Sequence, residues 1–370
     1  MKICIVMGGH FSQVKGGAQY QAMLLAQELA KRPELTVCYI TRNVSEQMID
    51  GYALIPVPGI PRLRRIGPIT DAPQLYRILR REQPDVVYQQ ALQGDTGVCA
   101  FYARRFKKRF VFHIASDFDV HTRQQLDERG IVGGPGGLDK RCGEYGLRNA
   151  SALVAQTDYQ AEALTENYGL RAQSIIRNFL PIPKPAEAPK ATRAKVAWVA
   201  NFKRVKRPEA FVELAERLQN LNADFVMIGR GGQEELYGQL YRRIDELANI
   251  QYLGEMEVEG VEKELESSHL LVNTSMVEGF PNTFIQAWFR EVPVVTLGVN
   301  TDNLLAPGSD FGVCTNSMDE LVAAVSELVL KPAELAALGH RARVGAEQKY
   351  SMANAQSLIQ VLTESGADCS

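Results

Sequence analysis

The sequence predicts an α/β fold of two parallel-sheet domains that face each other across a cleft. Short β-branched runs alternate with amphipathic stretches of helix length along the chain, the pattern of parallel sheets covered by helices on both faces. A Pro- and Lys-rich segment, PIPKPAEAPKATRA, interrupts that alternation near the middle. The 370 residues exceed what one compact core of ordinary size holds, and 45% hydrophobic with 23% charged residues suits two globular domains.

The first domain is expected over residues 1–180. Its strands are KICIVM, TVCYIT, ALIPV, DVVYQQ, RFVFHIA, ALVAQT and SIIRN, with helices such as GGAQYQAMLLAQELAKR and the segment from Asp158 to Tyr168 between them. Residues 181–193 form the linker. The second domain, 194–350, carries strands KVAWVA, DFVMIG, IQYLG, HLLVNTS, PVVTLG and FGVCT, and helices starting near Arg207, Gln233, Val258, Pro281, Ser317 and Pro332. A last helix within about 351–370 has no strand after it and is free to pack back on the first domain.

No run of about 18 apolar residues occurs, so no membrane-spanning helix is expected. The opening MKICIVMGG reads as a buried strand and not as a signal peptide, which predicts a cytoplasmic protein. Six scattered cysteines, Cys4, Cys38, Cys99, Cys142, Cys314 and Cys369, lack zinc-ligand spacing and are expected to be reduced. The net charge of −2 conceals an asymmetry, with 23 Lys and Arg against 17 Asp and Glu up to residue 180 and 18 against 26 beyond it. The excess gathers at Arg62, Arg64 and Arg65 and in ARRFKKRF, where Arg104, Arg105, Lys107, Lys108 and Arg109 surround Phe106. Such a cluster is either a solvated helix end or a peripheral contact with an anionic membrane.

The strongest chemical signal is HLLVNTSMVEGFPNTFIQAWFREVPVV. A strand ends near Ser275, a loop carries Glu278-Gly279-Phe280, and Pro281 is well placed as the first residue of a helix. Helix N-termini favour phosphate or acidic ligands, and Gly279 lets the backbone come close. Asn282, Gln286 and Arg290 then recur at helical spacing on an otherwise apolar helix, so their stripe must face a polar network or a ligand.

This segment resembles the donor-binding signature of retaining glycosyltransferases with the GT-B fold, family 4, which have two Rossmann-like domains. The resemblance implies that Glu278 contacts the transferring sugar. It implies that the stretch Gly279, Phe280, Pro281, Asn282 and Thr283 holds the diphosphate of a nucleotide-sugar, chiefly through backbone amides. In the family a second Glu grips the ribose; here that position is Gln286, an amide whose oxygen still accepts from a hydroxyl.

Further segments gain meaning from the resemblance. In KVAWVANFKRVKRPEAFVELAERL the family's diphosphate-neutralising Lys falls on Lys206, its Arg position falls on Asn201, and Lys203, Arg204 or Arg207 compensate. Gly16 and Gly17, opening a helix after GGHFSQVKGG with Lys15 beside them, resemble the first-domain glycine loop. In RFVFHIASDFDVH the family's His-Asp pair is replaced by Ser116-Asp117, so Asp117 is the preferred contact to acceptor or sugar. His113 is a second candidate for catalysis or, equally, a core histidine. Asp117-Phe118-Asp119 also spells a metal-type D-x-D, but the fold uses cations and helix dipoles, so no metal and no bound cofactor are expected. IGRGGQEELY lacks the third glycine of a dinucleotide fingerprint, and its Arg230 is expected beside the nucleotide.

The implied activity is transfer of a sugar, with retention, from a UDP- or GDP-sugar to a glycan or polyprenyl-linked glycan acceptor of cell-surface polysaccharide. Alternatives are a non-catalytic nucleotide or sugar binder, and an epimerase or phosphorylase on the same fold. A dinucleotide-dependent oxidoreductase is disfavoured, and no nucleic-acid partner is expected.

Overall fold

The computed structural model describes residues 1–58, 67–128, 137–186 and 190–364, except the side chains of 67–70, 123, 126 and 127. Arg62, Arg64, Arg65 and Cys369 lie outside the described residues. The chain divides into two compact units, Met1–Phe179 with Met352–Ser370, and Leu180–Ser351.

The first unit runs β1 (Lys2–Val6), α1 (Gly17–Ala30), β2 (Thr36–Thr41), β3 (Gln47–Ile49), β4 (Tyr52–Pro56), α2 (Gly67–Glu82), β5 (Val86–Gln90) and α3 (Gly94–Phe106). It continues through β6 (Arg109–His113), α4 (Asp117–Val120), α5 (Arg123–Glu128), α6 (Gly137–Arg148), β7 (Ala152–Ala155), α7 (Asp158–Tyr168) and β8 (Ser174–Ile175). The sheet order is β3-β4-β2-β1-β5-β6-β7-β8. Only the edge hairpin of β3 on β4 is antiparallel among the described pairs. Strands such as KICIV and RFVFH are buried on both faces, which is why they read as continuous apolar runs. Cys4, Val87, Phe110 and Phe112 build one side of the core with α2, α3 and α6. Arg42, just after β2, reaches Asp71 on α2 at 2.7 Å and grips Asp95 on α3 with two bonds of 2.7 and 2.9 Å. These half-buried charges are paired as burial requires.

The second unit holds β9 (Ala194–Val199), α8 (Pro208–Arg217), β10 (Ala223–Ile228), α9 (Glu234–Glu246), β11 (Ile250–Tyr252), α10 (Val258–Ser267) and β12 (Leu270–Asn273). Then follow α11 (Asn282–Phe289), β13 (Val294–Leu297), β14 (Gly312–Thr315), α12 (Met318–Leu330) and α13 (Pro332–Lys349). Its wholly parallel sheet has the order β11-β10-β9-β12-β13-β14. Trp198, Phe211, Phe225 and Met227 centre the core. Pro208 and Pro332 open their helices where a missing N–H is harmless, and the Ser317 hydroxyl caps α12.

The last helix, α14 (Ala353–Thr363), belongs to the first unit. Arg32, just after α1, donates to Gln356, and Arg109 donates to the carbonyls of Leu362 and Glu364.

Candidate active site

In the second unit the chain passes from β9 to β10 on one side and later returns to β12 on the other. The loops leaving the carboxyl ends of β9 and β12 therefore diverge, and such a crevice is where open α/β sheets take ligands. The β9 loop ends in a 3₁₀ turn, Arg204–Lys206, and the β12 loop covers 274–280. They are knitted together. Trp198 Nε1 donates to Thr274 Oγ1 at 2.9 Å, that hydroxyl donates to the Lys206 carbonyl at 2.7 Å, and Met276 N donates to the Val205 carbonyl at 2.8 Å.

This frame brings Lys206 and Glu278 together. Lys206 Nζ lies 2.5 Å from Glu278 Oε1, and the same oxygen accepts from Ser275 Oγ at 2.6 Å and Asn273 Nδ2 at 3.2 Å. The second oxygen, Oε2, receives no hydrogen bond among the described residues. Burial pushes the carboxyl's pKa up, but the Lys206 ammonium and the three bonds outweigh it and hold the pKa below the usual carboxylate range. The result is a fixed anion with one oxygen restrained and one available. Ser275 and Asn273 carried no signal in the sequence beyond closing a strand.

The Gly279-Phe280 turn follows at once. The Phe280 ring packs on Tyr350 at 4.7 Å and on Trp288 at 6.1 Å, anchoring the loop in the core. Pro281 is the extended N-cap (φ −68°, ψ 123°), not the first helical residue; Asn282 opens the helix and Thr283 follows. Pro281 itself has no side-chain group to cap the helix, and the positive end of the α11 dipole lies beside this loop.

Other expected donor contacts are engaged elsewhere. Arg207 sits in the left-handed region (φ 47°), and its guanidinium donates to the Thr274 carbonyl at 2.6 Å and the Leu297 carbonyl at 2.8 Å. It ties the ends of β12 and β13. Asn201, at the position expected for a cation, accepts from Arg230 N at 2.9 Å, while the exposed Arg230 side chain pairs with Glu255. Gly229 (φ 143°) makes this turn possible, since a Cβ there would meet the Ala200 carbonyl oxygen at 2.0 Å. Gln286 and Arg290 face α10, where both bond Glu262.

In the first unit, Gly16 is the extended N-cap of α1 and Gly17 its first residue, with Lys15 over the Phe11 ring at 4.7 Å. His113 is corrected from a catalytic candidate to a core residue. It is 1% exposed, Nδ1 meets Tyr88 Oη at 2.9 Å, and Nε2 meets the Ile176 carbonyl at 3.2 Å. Burial lowers its pKa to about 4, so the ring is neutral. Asp117 opens α4 half-buried and accepts from Gln160 at 3.2 Å. Asp119 is buried and takes three backbone amides, from Leu92, Ala115 and Ser116, so the D-x-D pair does not converge on one cation.

Residues 15–181 match the family described as Glycosyltransferase Family 4, and residues 193–331 match Glycosyl transferases group 1. Among solved structures, the chain is similar to HepE from Anabaena in complex with UDP and glucose, at 16% identity over 98% of this chain and 99% of that one (TM-score 0.76). It is similar to sucrose-phosphate synthase from Thermosynechococcus elongatus at 16% identity, covering 97% and 98% (TM-score 0.75). It is also similar to WaaG, a glycosyltransferase involved in lipopolysaccharide biosynthesis, at 15% identity, covering 98% and 100% (TM-score 0.75). At these identities the likeness concerns the fold. Among curated proteins none matches the chain.

Proposed function

The chain belongs to the group 1, family 4 glycosyltransferases of the GT-B fold, and from that premise we propose that it transfers a hexose, with retention, from a nucleoside diphosphate-sugar to a growing surface glycan or its lipid-linked precursor. The observation that carries the site is the Lys206–Glu278 pair at the mouth of the β9/β12 crevice, three residues before the N-cap Pro281 of α11. Glu278 Oε2 accepts from hydroxyls of the transferring sugar. Lys206 and the α11 amides bind the diphosphate and stabilise the charge that grows on it as it leaves.

The acceptor hydroxyl oxygen forms a bond to the anomeric carbon on the face from which the diphosphate departs. The bond from that carbon to the phosphate oxygen breaks, and the acceptor proton passes to the departing phosphate. The configuration is thereby kept. With charge balanced by Lys206 and a helix end, the reaction needs no divalent ion, and chelation by EDTA leaves turnover unchanged. HepE was crystallised with UDP and glucose and with UDP-glucose, which makes UDP-sugars the first donors to test. The acceptor class rests on the family alone, since the basic cluster at 104–109 lies at the amino end of β6, where Lys108 pairs with Asp85 and Arg109 donates to the Leu362 and Glu364 carbonyls.

Thermal protection by UDP-, GDP- and ADP-sugars identifies the donor, since a ligand at 100 times its Kd stabilises by about 2.7 kcal/mol. Product NMR then reads the anomer. Glu278→Gln that binds nucleotide but has lost turnover supports the assignment; full turnover by that variant refutes it.

A further inference from the structure

Gln286 and Glu262 form a unit that neither residue explains alone. Gln286 is 7% exposed, and its Nε2 donates to Glu262 Oε1 on α10 at 3.0 Å. Glu262 Oε2 accepts from Arg290 Nε at 3.1 Å, and Arg290 is held in turn by Glu266 and by the Lys184 carbonyl. The guanidinium therefore stays beside Glu262.

An ionised carboxylate can only accept. It dictates which way the Gln286 amide lies, a choice that an amide among neutral partners does not make by itself. The NH₂ must face Glu262, and the carbonyl oxygen must face the opposite way. Among the described residues no hydrogen bond reaches that Oε1. The arrangement also excludes Glu at 286, because two carboxylates would then stand at hydrogen-bonding distance with no proton between them.

We propose that Glu262 is a positioning residue for the nucleotide ribose: it fixes the Gln286 amide so that its carbonyl oxygen is turned away from Glu262, as an acceptor for a ribose hydroxyl. This rests on the donor-site reading above, in which Gln286 borders the ribose. The helix-to-helix pairing thus moves the carboxylate from α11 to α10 and keeps an acceptor at the ligand.

Calorimetry with UDP, 3′-deoxy-UDP and 2′-deoxy-UDP tests it. The full-length wild type binds UDP about fivefold to tenfold more tightly than at least one deoxy analogue, the size of one neutral hydrogen bond. Glu262→Gln keeps the shape and the bond to Arg290 but frees the amide to flip, and the preference shrinks to about twofold or less. Gln286→Glu alone weakens UDP binding about tenfold or more, and the exchanged pair Gln286→Glu with Glu262→Gln restores both affinity and preference. A role confined to tying α10 to α11 would change all three affinities equally. An unchanged UDP-to-deoxy ratio in Glu262→Gln, or no recovery in the exchanged pair, overturns the proposal while the donor site stands. If the thermal screen shows another base, its diphosphate and deoxy analogues replace UDP; a wild type that binds none of UDP, GDP and ADP removes the donor reading and this proposal together.

Discussion

Replacing Lys206 by Met removes the cation from Glu278 while keeping the length of the side chain. Breaking a fully buried ion pair on one side costs about 3–5 kcal/mol. Here the Lys206 side chain is 25% exposed and Glu278 11% exposed, and Ser275 and Asn273 remain bonded to the carboxylate, which brings the loss to about 2 kcal/mol at neutral pH. The pH dependence is the sharper test. In the wild type the folded pKa of Glu278 lies below its unfolded value of about 4.3, so its stabilisation is present above that pH and is lost as pH falls through the folded value. Without Lys206 burial prevails and the folded pKa rises above 4.3, so the variant loses stability as pH increases through it. Both effects widen the gap between the two proteins with rising pH. Urea unfolding from pH 4 to pH 8 reads that gap, in which the unrelated acids cancel. A gap that stays constant across the range would refute the coupling. If Lys206 also meets the leaving diphosphate, kcat/KM falls about tenfold to 100-fold, the worth of one charge-assisted bond.

His113→Gln is expected to leave kcat within about threefold at pH 7. The wild type should lose about 3 kcal/mol of stability between pH 6.5 and pH 4, because a group with a lowered folded pKa is penalised as acid charges the unfolded chain; the variant loses that component in pH-dependent denaturation. Gly229→Ala places a Cβ 2.0 Å from the Ala200 carbonyl oxygen at a φ of 143°, and a loss of about 2–4 kcal/mol with weaker nucleotide binding should appear in thermal melts. Arg42→Met removes both Arg42 bonds to Asp95, whose side chain is 5% exposed, and should cost about 3 kcal/mol in urea unfolding at pH 7.

Most strands were legible because parallel strands covered on both faces are unbroken apolar runs, and each such run from KICIVM to FGVCT corresponds to a strand. Gln47–Ile49 was not, since QMI is a short edge strand with no buried face to impose alternation. The boundary at Pro281 shifted by one because a proline φ near −68° suits an N-cap and a first helical residue alike; only ψ separates them. His113 stands inside RFVFHIA, a run too apolar to leave a ring exposed, and that was the available signal against a catalytic role. Lys206 and Glu278 were visible as types after strands, but their pairing spans 72 residues and emerges only once β9 and β12 are neighbours. Glu262 gave no local sign, because its partners sit on a different helix.

The ownership of α14 by the first unit makes that unit discontinuous along the chain, whereas Leu180–Ser351 is continuous. During synthesis the stretch up to Phe179 must wait, with the surface that receives Leu358, Ile359 and Leu362 uncovered, until the last helix leaves the ribosome. The second unit can therefore mature before the unit that emerged first, and a nonsense codon just before residue 352 would leave a finished second unit joined to a sticky, unfinished first one.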